Sequence, residues 1–304
     1  MERNYYIFNS GRLHRKDNTL LFENESGEKK VLPVNDVEAI YIFSEIDLNT
    51  KLLNFLSQNK IPLHVFNYYG YYSGSYYPRE YLNSGFLLVN QVSHYKSNRK
   101  RMIIAREFIR SGVLNILKNL QYYNKDSVGL DLKDRIEEIK GHLQEVENAQ
   151  DILVLMSIEG RIRNSYYKCF GIILGEEYAL EKREKRPPTN IINALISFGN
   201  SLMYTTVLGE IYRTQLNPLI SFLHEPGERR FSLSLDISEI FKPIIIDRLI
   251  FKLLNTGMIS EKHFDQELNS CYLNEEGKRI FLREYDERLK KTIRHSVIFR
   301  INPA

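Results

Sequence analysis

Tryptophan is absent from the 304 residues, and cysteine occurs only twice, as Cys169 and Cys271. The two thiols stand in no metal or redox spacing, and no Cys/His set exists that would make a structural zinc site. Each is therefore read as a small buried apolar residue. No apolar run approaches the ~18 residues needed to span a bilayer. The opening Met-Glu-Arg-Asn-Tyr-Tyr-Ile-Phe lacks the hydrophobic segment and small-residue cleavage site of a signal peptide. Internal repeats and low-complexity tracts are missing as well. A cytoplasmic protein with no membrane segment is expected.

The residues present support a sizeable core: 43% are hydrophobic, with 20 Tyr and 16 Phe. The length favours two domains over one. Net charge is +4 and unevenly spread. Residues 1–85 carry 9 Lys/Arg against 10 Asp/Glu, and the remainder carries 33 against 28. An anionic partner would thus meet the C-terminal part, although a surplus this small also serves solubility.

Short apolar runs with turn signals between them open the chain. Strands are expected at Tyr5–Phe8, Leu20–Phe22, Lys30–Val34, Val37–Phe43 and Ile61–Phe66, with a helix capped at Asn49 or Thr50 running to Lys60. Asn67–Gly74 reads as a hairpin. Its tyrosines, Tyr68, Tyr69, Tyr71 and Tyr72, followed by Tyr76 and Tyr77, either stack on bases or fill strands and subunit interfaces, the second being the ordinary use. Residues 78–90 read as a linker between a β-rich domain, 1–77, and an all-helical domain, 91–304. The fold class expected is α+β, a small β-sandwich-like domain followed by a helical catalytic one.

The helical part has four informative stretches. Arg101–Tyr123 is amphipathic, and the basic run Lys96, Arg99, Lys100, Arg101, Arg106 and Arg110 is either a phosphate-binding face or a solvated one. A second helix, from about Gln144 to Leu174, places Glu159 on an apolar stripe with Ile152, Leu155, Met156, Ile162, Tyr166 and Phe170. A buried carboxylate needs a partner, here Arg161, Arg163 or a metal ion. The charged segment Glu181–Pro188 is a loop ahead of a helix capped at Thr189 or Asn190. Last, Asn217–Pro243 brings His224, Asp236 and Glu239 close in sequence, with Arg229 and Arg230 between them.

Asp236 and Glu239 are three apart, so on a helix both lean toward one face. With Glu159 and His224 they form an oxygen-rich set suited to Mg²⁺ or Mn²⁺. The competing reading is a capping box, with Asp236 at the N-cap and Glu239 reaching back, and His224 as a loop histidine. On spacing alone both readings stand. Pro243 should kink or divide the helix it sits in.

Four blocks, in order, resemble the CRISPR-associated spacer-acquisition integrase/endonuclease family. They are Ser157-Ile-Glu159-Gly160-Arg-Ile-Arg-Asn-Ser-Tyr166-Tyr167, Arg186-Pro-Pro-Thr-Asn-Ile-Ile-Asn193, Asn217-Pro-Leu-Ile-Ser-Phe-Leu-His224-Glu225 and Ser234-Leu-Asp236-Ile-Ser-Glu239-Ile-Phe-Lys-Pro243. Lys242 stands where the last block often has Arg. The resemblance implies metal ligation by Glu159, His224 and Glu239, with Asp236 supporting the site. It implies 3′-hydroxyl attack of a captured DNA fragment on a repeat array. It further implies a homodimer, and a small ferredoxin-like adaptation subunit bridging two dimers on double-stranded DNA. Arg163, Lys185, Arg186, Arg229 and Arg230 are candidate phosphate contacts, and Tyr166 and Asn193 candidate orienting groups. A structure-specific repair nuclease using water, or a non-catalytic nucleic-acid-binding scaffold, are the alternatives.

Overall fold

The computed structural model describes residues 3–78, 84–125, 128–227 and 231–291. Its N-terminal part is rich in strands. β1 (Arg3–Ile7), β5 (Val37–Ile42), β7 (Leu63–Phe66) and β8 (Tyr72–Tyr76) form one sheet in the order β1-β5-β7-β8. β1 and β7 flank β5 in parallel, and β8 returns antiparallel to β7. β2 (Gly11–Lys16), β3 (Thr19–Asn24), β4 (Lys29–Pro33) and β6 (Ile46–Asp47) form a second, ordered β4-β3-β2-β6. β2 did not stand out in the sequence, because Leu13 is its one buried residue.

β5 shows how one strand serves two cores. Successive side chains on a strand point to opposite faces. Accordingly Ile40 and Ile42 join Leu13, Leu20 and the helix α1 (Thr50–Gln58) in one buried cluster. Ala39, Tyr41 and Phe43 enter the other, which the helices dominate. A parallel central strand buried on both faces reads as this continuous apolar run. Asn49 caps α1 as expected, its side chain accepting from the Leu52 amide at 2.9 Å.

Residues 84–90 are not linker: α2 spans Gly85–Lys96, with Ser84 accepting from the Leu87 amide. The long helix α3 (Asn98–Tyr123) is the axis of the C-terminal part and touches α4 (Lys133–Asn148), α5 (Ile152–Leu174) and α7 (Ser232–Lys242). The break between α4 and α5 falls at Asp151, which caps α5, so the helix expected from Gln144 begins later. The buried stripe of α5 runs through Ile152, Leu155, Ile158, Ile162, Tyr166 and Phe170; Met156 faces outward, and Glu159 lies at the stripe's margin.

α6 (Ile191–Tyr212) is capped by Asn190. Among the described residues it is the helix long and apolar enough by composition to cross a membrane, contrary to expectation, yet 72% of that window is buried within the protein. An all-round apolar helix is what a core position requires. α7 passes through one widened turn, Pro243–Asp247, into α8 (Arg248–Asn255). The missing proline N–H breaks the regular ladder there, the effect expected of Pro243. Asn119 of α3 donates to the Pro243 carbonyl (2.8 Å) and the Tyr166 hydroxyl (3.1 Å), satisfying groups at that turn.

The C-terminal part is not all helical. β9 (Phe264–Glu267) and β10 (Ser270–Leu273) form an antiparallel hairpin before α9 (Glu275–Leu289). In β9 only Phe264 is buried, so its pattern is that of a polar loop. α9 closes on the first sheet, where Tyr6 donates its hydroxyl to Asp286 at 2.6 Å.

Candidate metal centre

The loop that carries His224 is clamped along its length. Gln91, buried on α2, donates to the carbonyls of Asn217 and Ile220 and accepts from the Asn217 amide. Ser232 and Ser221 hydroxyls donate to the carbonyls of Leu219 and His224. Arg101 donates to the Phe222 carbonyl and pairs with Glu225 at 2.7 Å, so this member of the basic run on α3 serves the loop.

Asp236 supplies the central clamp. Its carboxylate is fully buried and accepts from the amides of Phe222 (2.7 Å), Leu223 (2.9 Å) and His224 (2.9 Å). It also bonds the His224 Nδ1 at 2.9 Å. This corrects the capping-box reading. α7 begins at Ser232, four residues earlier, so Asp236 lies inside the helix and caps the loop instead. It is also no metal ligand itself, since its oxygens are occupied by four donors. The contact engages Nδ1 and leaves Nε2 as the ring nitrogen available to a ligand, the arrangement by which a carboxylate fixes a histidine's tautomer.

Glu239 lies one turn on and faces α5. Glu159 and Arg163, four residues apart on α5, pair at 3.0 Å, and the same guanidinium bonds Glu239. Lys242 adds a second cation to Glu239 at 2.6 Å. Burial works to raise the Glu239 carboxyl, but Lys242, then Arg163, with His224 contributing less, bring it down to about 2. Gly112 of α3 lets α7 come this close: a β-carbon there would stand 3.0 Å from the Glu239 carbonyl oxygen. Beside the acids is a narrow cleft between α3, α5 and α7 with about 10 Å³ of open space, room for a single water-sized guest.

The structure thus gathers the three expected ligands into one region, but with Arg163 between two of them. Among the described residues no three His, Cys, Asp or Glu side chains converge closely enough to hold an ion as they stand. Arg163, expected at DNA, is turned inward and only 14% exposed, because two half-buried carboxylates need its charge. Of the cations the sequence offered Glu159, Arg163 is in contact with it. The donor types nonetheless suit a divalent cation: two carboxylates share one guanidinium, and the His224 imidazole is near enough to act on the charge of Glu239.

Two further nominees are internal. Tyr166 is fully buried against Asn119. Asn193 is fully buried and holds the loop before α6, accepting from Arg183 and the Glu184 amide and donating to the Lys182 carbonyl. Lys185 and Arg186 are exposed on that loop, where the Tyr71 hydroxyl donates to the Lys185 carbonyl and Arg186 covers the Tyr71 ring. Arg229 and Arg230 lie outside the described residues. One group had no sequence signal. Asp247, at the end of the widened turn, is buried close to Arg163 and Tyr166, and burial pushes its carboxyl up to about 6.

Comparison with known proteins places this arrangement. The family profile for CRISPR associated protein Cas1 matches residues 5–287. A CRISPR-associated endonuclease Cas1 of Fusobacterium nucleatum subsp. nucleatum is 51% identical over 303 residues, 99% of this chain and 88% of the relative. One from Moorella thermoacetica is 52% identical over 298 residues, 98% of this chain and 90% of that one. The solved structure of a CAS1 protein from Thermotoga maritima superposes with a TM-score of 0.88 at 47% identity, covering 95% of this chain and 90% of that one. With matches this close over nearly its whole length, the chain belongs to the Cas1 family of CRISPR-associated proteins.

Proposed function

We propose that the protein is a metal-dependent DNA endonuclease and integrase of CRISPR adaptation. The observation that carries this reading is the juxtaposition of Glu159, Glu239 and a tautomer-fixed His224, in a chain about half identical to relatives named as Cas1 endonucleases. Glu159, Glu239 and His224 Nε2 would hold Mg²⁺ or Mn²⁺, and the ion would supply Lewis-acid polarisation of the scissile phosphate and charge stabilisation at the leaving oxygen.

The chain's own residues do the rest. Asp236 keeps the His224 proton on Nδ1 and so keeps Nε2 free for the ion. Lys242 balances the charge of Glu239. The exposed Lys185 and Arg186 take the DNA backbone, with Arg229 and Arg230 as further phosphate contacts. The attacking group is the 3′-hydroxyl of a captured fragment: a phosphorus–oxygen bond forms to it as the bond to the displaced 3′-oxygen breaks, and that oxygen leaves as a hydroxyl. Residues 1–77 form a β-sandwich-like unit, and the helical part from α2 onward forms the catalytic unit. Two such chains form a homodimer, and two dimers flank a small ferredoxin-like subunit on double-stranded DNA.

The test incubates the protein with Mn²⁺ or Mg²⁺, a supercoiled repeat-bearing plasmid and a free-ended duplex, with and without the small subunit. Covalent joining that is lost in Glu159→Ala and His224→Ala is the expected result. Cleavage without joining would leave only a nuclease, and full activity in either variant would remove the site assignment.

A further inference from the structure

The position of Arg163 points beyond the ligand set. One guanidinium, 14% exposed, bridges Glu159 on α5 and Glu239 on α7, the two carboxylates assigned to the ion. The cleft beside it has room for about one water-sized guest, so the place between the two acid side chains is the one the guanidinium fills. Arg163 and a divalent ion therefore compete for the same negative charge and the same volume.

A second berth exists for the displaced guanidinium. Asp247 is 3% exposed, and its Oδ2 has no hydrogen-bond partner among the described residues. An unpaired buried carboxylate oxygen is costly and rare in a folded protein. Arg163 is the leading positive influence on it. The Asp247 side chain comes from the widened turn directly after α7, and both Arg163 and Glu239 lie near enough to act on its charge. A long side chain anchored on α5 needs only rotamer changes to exchange one carboxylate partner for another.

We infer that Arg163 is the resident counter-ion of this centre: it holds Glu159 and Glu239 together before metal arrives, yields its place to the divalent cation, and is then received by Asp247. This rests on the ligand assignment proposed above. It makes Arg163 a positioning residue that sets metal affinity, and it lets an acidic centre fold without an ion. Removing the guanidinium should favour the metal, because the competitor is gone. Removing Asp247 should disfavour it, because the displaced charge then has nowhere to go.

Calorimetric titration of the full chain with manganese(II) chloride tests this, together with thermal unfolding with and without the ion. Arg163→Met should bind Mn²⁺ at least about tenfold more tightly than wild type, the equivalent of one hydrogen bond to a charged group no longer given up to the ion. Its metal-free melting temperature should fall and be regained in saturating Mn²⁺. Asp247→Asn should bind several-fold more weakly. Equal or weaker binding by Arg163→Met, or a shift of both variants in one direction, overturns the inference. Should Arg163→Met not fold, Arg163→Lys, which lacks the two separate nitrogens that reach Glu159 and Glu239, should still bind more tightly, and no gain there overturns it equally. Identical Mn²⁺ binding by wild type and His224→Ala would instead overturn the ligand assignment, and this inference with it.

Discussion

Replacing Asp236 by Asn changes one atom at the most connected carboxylate near the site. Asp236 is fully buried and accepts four hydrogen bonds, two on each oxygen: Phe222 and Leu223 amides on Oδ2, His224 amide and Nδ1 on Oδ1. An asparagine keeps one oxygen, so two of the four bonds are lost and an N–H₂ is set against two former donors. At about 1–3 kcal/mol for each of the two buried donors left unsatisfied, the expected cost is roughly 2–6 kcal/mol. That is a large part of the ~5–15 kcal/mol that stabilises a typical native protein. Urea unfolding followed by circular dichroism measures it, provided the denaturant slope is unchanged. The substitution has a second consequence. If the amide nitrogen faces His224, Nδ1 must accept and the ring proton moves to Nε2, which then cannot bind an ion. Nitrogen-15 shifts of the imidazole report the tautomer, and titration with Mn²⁺ reports the loss. An Asp236→Asn protein within about 0.5 kcal/mol of wild type, the range of an ordinary surface change, would refute the clamp.

Other outcomes follow from the same geometry. Gly112→Ala should lower the melting temperature despite the better helix former, because overpacking costs about 1–3 kcal/mol where a β-carbon meets the Glu239 carbonyl at 3.0 Å; a stabilised variant would mean that α3 and α7 are not so close. Burial raises Asp247 from 3.8 to about 6, so the stability it contributes is complete below pH 3.8 and is lost as pH rises through 6; Asp247→Asn should abolish that decline in urea titrations across this window. Glu239 behaves oppositely, its carboxyl lowered from 4.5 to about 2: its contribution is complete above pH 4.5 and lost as pH falls toward 2, and Glu239→Gln should flatten the acid limb.

Much of the fold could be read in advance because its signals are local. Asn49 and Asn190 cap helices where their sequence positions suggest, and the alternation of Ala39, Ile40, Tyr41 and Ile42 marks a strand buried on both faces. Elements whose side chains are mostly exposed were harder. β9 buries one residue and β2 one, so neither shows a pattern that separates it from loop. The start of α7 was misplaced for a different reason. Asp236-Ile-Ser-Glu239 has the letters of a capping box, but its acid is engaged by amides twelve to fourteen residues earlier in the chain.

The order and content of the four blocks, with Glu159, His224, Asp236 and Glu239 inside them, were determined by the sequence alone and sufficed to point to the family. Side-chain chemistry and near-neighbour spacing carry that much, because both are properties of short segments. The partners of those residues were decided only by tertiary structure. Arg163 could equally face DNA or the acids until α5 and α7 are brought together across Gly112, and Asp247 has no visible purpose until the Pro243 turn places it beside α5. Charge pairing acts over a few ångströms in space regardless of separation along the chain, so the helix crossing, and no pattern of letters, selects which cation serves which carboxylate.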